Sequence, residues 1–391
     1  MKNKSILFLI FLIYCSIISA ELNKKDYSLA ENIKIVDIAI KYNASLDSLS
    51  LLPENYPFIV FSPESKVFLI NGYQADEFEK MNFEKVWLYN NIAFRDYPWG
   101  QLSAHTSYNY SYNNQMMPAV FIDPLRWPSE QLTPAKNQNI FMYISESLYQ
   151  QMLRTKYKSY YTVPSRQYPI LDEENRAMKT METNLLIKAF ELIQTGEKEK
   201  VKDLLDHFFS LRRVRWTKNR SYVMPFEQNE EMRLGFPAWQ SYQLLNRLHT
   251  YKDSLETEEK NYLSRHFAGI NPIEYIYDMI NCQYDENAQS LQTMTGEALK
   301  LSGMLQFIIY SEMGWQIGDL SRKDLWYLLN DKTSISDSLE KACVQEITES
   351  WQYKEILAQI KSQNKDYQSH FNQLNNQYEK KLTLPFWTLL Y

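Results

Sequence analysis

Glycine is scarce, at 9 of 391 residues. That argues against Gly-rich phosphate loops, and neither a GxGxxG run nor a P-loop pattern occurs. Cysteine is scarcer still, at 3. Cys15 lies in a leader-like start, which leaves Cys282 and Cys343. Neither sits in a CxxC pair, which disfavours a cysteine zinc site. In an exported protein these two could pair, or each could be a separate buried thiol, and the sequence leaves both readings open. The five histidines (His105, His207, His249, His266 and His370) form no pair at metal-ligand spacing, so each reads as an ordinary surface or core residue. Basic charge is not in excess. With a formal charge of −5 and a pI near 5.7, the chain has no electrostatic reason to hold nucleic acid. No fixed-period repeat is present.

Apolar residues make up 45% of the chain, enough for a true core, and tyrosine is abundant at 29. The length suits one large domain or two medium ones. Residues 1–20 read as a secretory signal. Lys2 and Lys4 form a basic start, Ile6 to Ile18 is a short apolar run, and Ser19 and Ala20 offer a cleavage site before Glu21. The apolar run is too short and too early for a membrane span, so none is expected once the signal is removed. Cleavage after Ala20 removes two lysines and no acid, taking the formal charge from −5 to −7. The expected location is secreted or periplasmic. Cys15 admits a lipoprotein reading, but Leu12, Ile13 and Tyr14 make a poor lipobox.

The rest divides into an N-terminal α/β part over 21–135, a helical core over 136–250 and a C-terminal helical part over 251–391. The fold class is α+β, a small N-terminal sheet followed by a mainly helical body. Ser28 and Glu31 form a capping-box pattern, and Ile33, Val36 and Ile40 follow at helical spacing, predicting a helix over about 29–43. Residues 58–61 and 66–70, separated by a Ser-Pro-Glu turn, read as a hairpin. Residues 86–89 and 119–122 are further strand candidates, and 108–114 reads as a polar, aromatic surface loop. Asp172 caps a helix through about Gln194. Other helices are expected over 201–209, 228–248, 257–267, 273–280, 287–313, 322–329 and 336–361. Asn43, Asn109 and Asn219 each begin a glycosylation sequon, relevant only for a eukaryotic source.

One stretch organises the reading. Ile140, Ile144, Leu148 and Met152 recur every four residues, with Phe141 beside them, so one stripe of this helix is apolar. Ser145, Glu146 and Tyr149 lie next to it. Positions 145 and 149 stand one turn apart on one face. That spacing lets two imidazoles hold one metal with the intervening glutamate as general base. Here the positions carry a hydroxyl and a phenol, which are poor zinc ligands. Farther on, Glu182 falls on the apolar face marked by Met178 and Leu185, where a carboxylate must be paired or protonated. Arg212, Arg213 and Arg215, with Lys218 and Arg220 after them, are either a solvated basic face or the source of that partner, one of the arginines pairing with Glu182 or with Glu146.

Taken together, three stretches resemble a family of secreted zincin-like (gluzincin-type) metallopeptidase-like proteins. They are Ser145-Glu146…Tyr149-Gln150-Gln151, Leu171-Asp172…Asn175-Arg176…Met181-Glu182…Ala189-Phe190, and Arg212-Arg213…Glu231…Leu234-Gly235…Ala238-Trp239. The resemblance covers roughly 55–250. It implies a zincin-like fold with a degenerate His-Glu-x-x-His motif. The site positions would be Ser145, Tyr149, Glu182, Glu231 and Leu234, with Glu146 as catalytic residue only if the chain is active. The third metal ligand of such a family would correspond to Leu234, which cannot bind, or to Glu182, which survives. Both imidazoles are lost in either case, so no metal and no cofactor is expected. The implied function is a non-catalytic peptide-binding or scaffold relative that holds a peptide or protein in an old substrate cleft. The alternative is a hydrolase, peptidase or glycosidase, with a non-standard or metal-free acid–base site around Glu146. A third reading is a structural envelope component.

Overall fold

In a computed structural model of the chain, the residues described are 24–46, 52–61, 66–71, 84–85, 92–96, 108–112, 115–122, 134–157, 168–169, 172–218, 222–251, parts of 253–263, 271–284, 296–314 and 336–365. The fold is α+β and mostly helical, with one sheet near the N-terminus. The chain forms two compact units: residues 1–159 with 237–278, and residues 160–236 with 279–391. The residues proposed as the signal, residues 1–20, lie outside those described. Among the described residues no helix is long and apolar enough to cross a membrane.

The first unit opens with α1 (Lys24–Leu46), which begins and ends a little outside the predicted 29–43. The sheet follows: β1 (Phe58–Phe61), β2 (Lys66–Ile70), β3 (Glu84–Lys85), β4 (Ile92–Asp96), β5 (Tyr108–Tyr112) and β6 (Gln115–Phe121). Their order is β3-β4-β2-β1-β6-β5. β1 and β2 form the expected antiparallel hairpin, with Phe58 opposite Ile70. β1 and β6 run parallel, with Ile59 opposite Ala119. The proposed strand over 86–89 lies outside the described residues, between β3 and β4.

Of the surface loop expected over 108–114, residues 108–112 are instead a strand. β5 pairs antiparallel with β6, Tyr112 opposite Gln115. Tyr108, Tyr110 and Tyr112 alternate with Asn109 and Ser111, and that period of two favours a pleated strand over a loop once a partner strand is available.

β1 and β2 are buried along almost their whole length, as interior strands should be. α1 packs beside β2. Asn71, just past β2, takes a left-handed φ of 51°, which Asn tolerates better than most residues. Its amide donates to Asp37 Oδ1 on α1 at 2.6 Å, pinning the strand end to the helix. Asn43, the first sequon, is buried and its side chain accepts from Arg247 Nη1, so it does not present a glycan acceptor.

α2 (Pro134–Tyr157) is the organising helix and packs on α1 and β6. Its predicted stripe is the buried one: Ile140, Phe141, Ile144, Leu148 and Met152. Two polar side chains fasten it to the sheet. Tyr143 Oη donates to the Phe121 carbonyl at 2.8 Å, and Gln151 Nε2 to the Ala119 carbonyl at 2.8 Å.

The second unit is built on α3 (Glu173–Gln194), α4 (Val201–Lys218), α5 (Val223–Glu230) and α8 (Ala298–Glu312). Asp172 caps α3 as expected, accepting from the Asn175 N–H, and Glu173 and Glu174 suit the helix dipole. The helix closes in a Schellman motif. Glu197 N donates to Leu192 O at 2.8 Å, Gly196 N donates to Ile193 O at 3.1 Å, and Gly196 supplies the positive φ of 82°.

The helix expected over 228–248 is not continuous. α5 gives way to a π-helical turn, Glu231–Gly235, and then to α6 (Phe236–Tyr251). Pro237 accounts for part of this, because it offers no N–H to the preceding turn. Likewise the helix expected over 336–361 breaks. α9 (Asp337–Glu349) is capped by Ser336, and Ser350 turns extended, with ψ 148°. Ser350 then caps a second helical run over 351–365 through Tyr353 N–H at 3.1 Å. α6, from Pro237 on, and most of α7 (Pro272–Tyr284) belong to the first unit.

The π-turn and α8 approach each other very closely. A Cβ on Gly235 would lie 2.5 Å from Gly303 Cα, and a Cβ on Gly303 would lie 2.4 Å from the Glu231 carbonyl oxygen. Only two glycines allow the backbones to meet this way. Gly235→Ala and Gly303→Ala should each destabilise the chain by about 2 kcal/mol or more in urea unfolding. Gly296→Ala, where a Cβ meets nothing within 4 Å, should be nearly neutral.

Candidate functional site

Ser145, Glu146 and Tyr149 sit on the buried side of α2. Ser145 Oγ donates back to the Phe141 carbonyl at 2.8 Å, the usual fate of a serine inside a helix. Tyr149 is 1% exposed and packs in the core. The Glu146 carboxylate accepts from Tyr275 Oη at 2.8 Å. Tyr275 is itself buried, on α7, in the same unit. The sequence reading did not single out Tyr275.

Glu182, Glu231 and Leu234 belong to the other unit. There the structure assembles three carboxylates and three cations in a buried cluster, every charge with an opposite partner. Arg212 on α4 grips Glu231 with two nitrogens, at 2.9 and 2.7 Å, and donates from Nε to Glu182 at 3.1 Å. Arg215, one turn on, donates to Glu182 at 2.6 and 2.9 Å and to Glu227 at 2.7 and 2.5 Å. Lys179 on α3 donates to Glu231 at 2.9 Å.

Neutral groups use the remaining valences. Ser302 and Gln306 on α8 donate to Glu231 at 2.7 and 3.1 Å. Trp216 Nε1 donates to Glu227 at 2.8 Å, and Tyr168 Oη also donates to Glu227. Phe208 and Trp216 lie against the Arg212 guanidinium at 4.4 and 4.7 Å from their ring centres, where the positive charge meets the π-faces. Tyr310 reaches Gln306 at 3.4 Å.

Burial alone would push these carboxyls up. For Glu231, Arg212 and Lys179 outweigh it and hold the group down at about 2. For Glu227, Arg215 and Lys179 do the same, so it too stays well below the usual carboxylate range. Burial would lower the Arg212 and Arg215 values, but the carboxylates beside them raise both. The Tyr168 phenol is pushed up, by burial first and by Glu227 second. All of these groups therefore keep their ordinary charge at neutral pH. Carboxylates locked by guanidinium groups in a dry interior are poor proton carriers.

The arginine partner sought for Glu182 is thus two arginines, Arg212 and Arg215. Glu231 serves the same cluster. Leu234, in the π-turn, is half-buried. The positions offered to a metal are a hydroxyl bonded to its own helix, a buried phenol, a carboxylate already held by two guanidinium groups, and an aliphatic side chain. That donor set does not suit zinc. Among the described residues no three His, Cys, Asp or Glu side chains group as a metal site. Cys343 is a free, buried thiol.

Lys179, Glu227, Ser302 and Gln306 were missed in the sequence, yet a signal was there. Asn175, Lys179 and Glu182 on α3, Arg212 and Arg215 on α4, Glu227 and Glu231, and Ser302 and Gln306 on α8 are polar residues at three- or four-residue spacing. Each set lies on a face that is otherwise apolar. Compared with models of known families, with curated proteins and with solved structures, the chain has no match.

Removing one partner from a buried charge-balanced set leaves an unpaired charge, which costs about 3–5 kcal/mol. Arg212→Leu and Arg215→Leu should each lower unfolding stability by that amount, whereas Lys218→Ala at the exposed Glu174 pair should change it by less than about 1 kcal/mol. Glu231 titrates lower in the folded chain than its ordinary 4.5, so its stabilisation is complete above that pH and is lost as the pH falls towards 2. Acid unfolding followed by circular dichroism should therefore fall in that window. Arg212→Leu should move the midpoint to higher pH.

Proposed function

We propose that the chain is an exported, non-catalytic relative of the zincin-like metallopeptidases, one that binds a peptide or protein rather than cutting it. The observation that carries this reading is the state of α2. Where two imidazoles and a free glutamate would be needed, Ser145 is bonded to its own helix, Tyr149 is buried and Glu146 is held by Tyr275. The zincin-like fold itself rests on the residue resemblance, together with a helix lying on a mixed sheet beside its parallel joint. β5, the outer strand next to β6, would take an extended peptide by backbone pairing. The leader-like residues 1–20 support a secreted or periplasmic location.

A second reading has one observation in its favour. Glu146 with Tyr275 is a carboxylate–phenol pair, and such a pair could serve acid–base chemistry in a metal-free hydrolase.

Two measurements test the choice. Elemental analysis of the purified chain should find no stoichiometric zinc, and one tightly held zinc per chain would sink the proposal. Hydrolysis of peptide and glycoside panels should stay at background in both the wild type and Glu146→Gln. A wild-type activity abolished in Glu146→Gln would establish the second reading instead.

A further inference from the structure

α9 rests on α4 with little apolar contact. Of its residues only Cys343 and Ile347 are buried, four apart on the face towards α4. Two ion pairs add to it. Arg213 meets Glu340 at 3.2 Å, and His207 meets Glu346 at 3.2 Å. The two contacts run in opposite chain directions, so the helices are antiparallel.

The histidine contact has a built-in condition. His207 Nδ1 lies 2.8 Å from the Asp203 carbonyl oxygen, which can only accept, so Nδ1 must carry a hydrogen. A neutral imidazole then has a bare lone pair at Nε2, and that lone pair faces the Glu346 carboxylate, also an acceptor. Two acceptors at that distance do not bond. Only the imidazolium satisfies both neighbours at once.

From this geometry we infer that His207 is a protonation-controlled clasp between α4 and α9. When doubly protonated it fastens Glu346. When neutral it releases that contact and leaves α9 held by Arg213, Cys343 and Ile347. The charged groups around it agree. Asp203 and Asp206 lie on its own helix, with Lys202 near Asp206, and Glu346 comes from α9. The charged side chains through which α3 meets α4 are those of the cluster, at Arg212 and Arg215, and the exposed Glu174–Lys218 pair at the end of α4. Lys198 and Lys200, in the turn before α4, are bonded to Glu312 and Glu197. Burial disfavours the imidazolium, but the Asp203 carbonyl and Glu346 outweigh it, so the His207 pKa lies above its ordinary value. Because that pKa is raised on docking, the clasp is fully made below the ordinary histidine pKa and is lost as the pH rises through the docked one.

The test uses the full chain. His207 is titrated by NMR, and exchange of α9 amides is followed at pH 5.5 and pH 8, corrected for intrinsic exchange. The docked histidine should titrate above an ordinary histidine. α9 should be about two- to five-fold better protected at the lower pH, the range open to a half-exposed pair. Glu346→Gln should lower the His207 pKa and erase the pH-dependent difference. Arg213→Ala should loosen α9 at both pH values and leave their ratio intact. A His207 pKa that Glu346→Gln does not move, or α9 protection that is the same at both pH values in the wild type, would overturn the inference.

Discussion

Charge balance in a dry interior governs the second unit. Arg212 and Arg215 are among its largest fully buried side chains, and an isolated guanidinium there would be very costly. Each is tolerable only because carboxylates from other segments arrive at fixed places. Glu182 comes from α3, Glu227 from α5 and Glu231 from the π-turn, with Lys179 restoring neutrality. α8 contributes no charge, but Ser302 and Gln306 complete the carboxylate of Glu231. For those two to reach it, α8 must run very close to the π-turn, and the Gly235–Gly303 contact permits that. The glycines and the ions are therefore one arrangement: a side chain at either glycine would push Ser302 and Gln306 away from the Glu231 carboxylate they complete.

The same logic changes what the family-like residues mean. Read as a degenerate metal site, Glu182 and Glu231 look like remnants. In the folded chain they have full-time structural work, each with every oxygen engaged. On α2 the residues that matter for position are Tyr143 and Gln151, which lock the helix to β6 through backbone carbonyls. These bonds explain why a long helix with polar residues on its inner side still lies flat on a sheet.

Local chemistry made much of this legible. Asp172 before two glutamates, the four-residue apolar stripe of 140–152 and the 58–70 hairpin each carry a pattern that few alternatives satisfy. Elsewhere the deciding partner was distant in sequence. Tyr108 to Tyr112 alternates, but without β6 in view its tyrosines also suit a loop. The break at Ser350 depends on one residue capping a following helix while ending the one before it, and the π-turn on how Gly235 meets Gly303. Glu146 gave no hint of Tyr275, which is 129 residues away. Arg212 and Arg215 were visible as a basic run. Their burial was hidden because the acids that neutralise them come from three separate segments.

The parallel joint between β1 and β6 has a kinetic side. The β1–β2 and β5–β6 hairpins each close a short loop, while the joint that unites them brings Ile59 to Ala119. Closing the longer loop costs more chain entropy, so chain entropy favours pairing within each hairpin over the seam, which divides β3-β4-β2-β1 from β6-β5. On an emerging chain that seam must also wait until β6 has been synthesised. Until then the apolar strand β1 has one side unpaired, which makes the seam the point where the nascent unit is most open to wrong pairing.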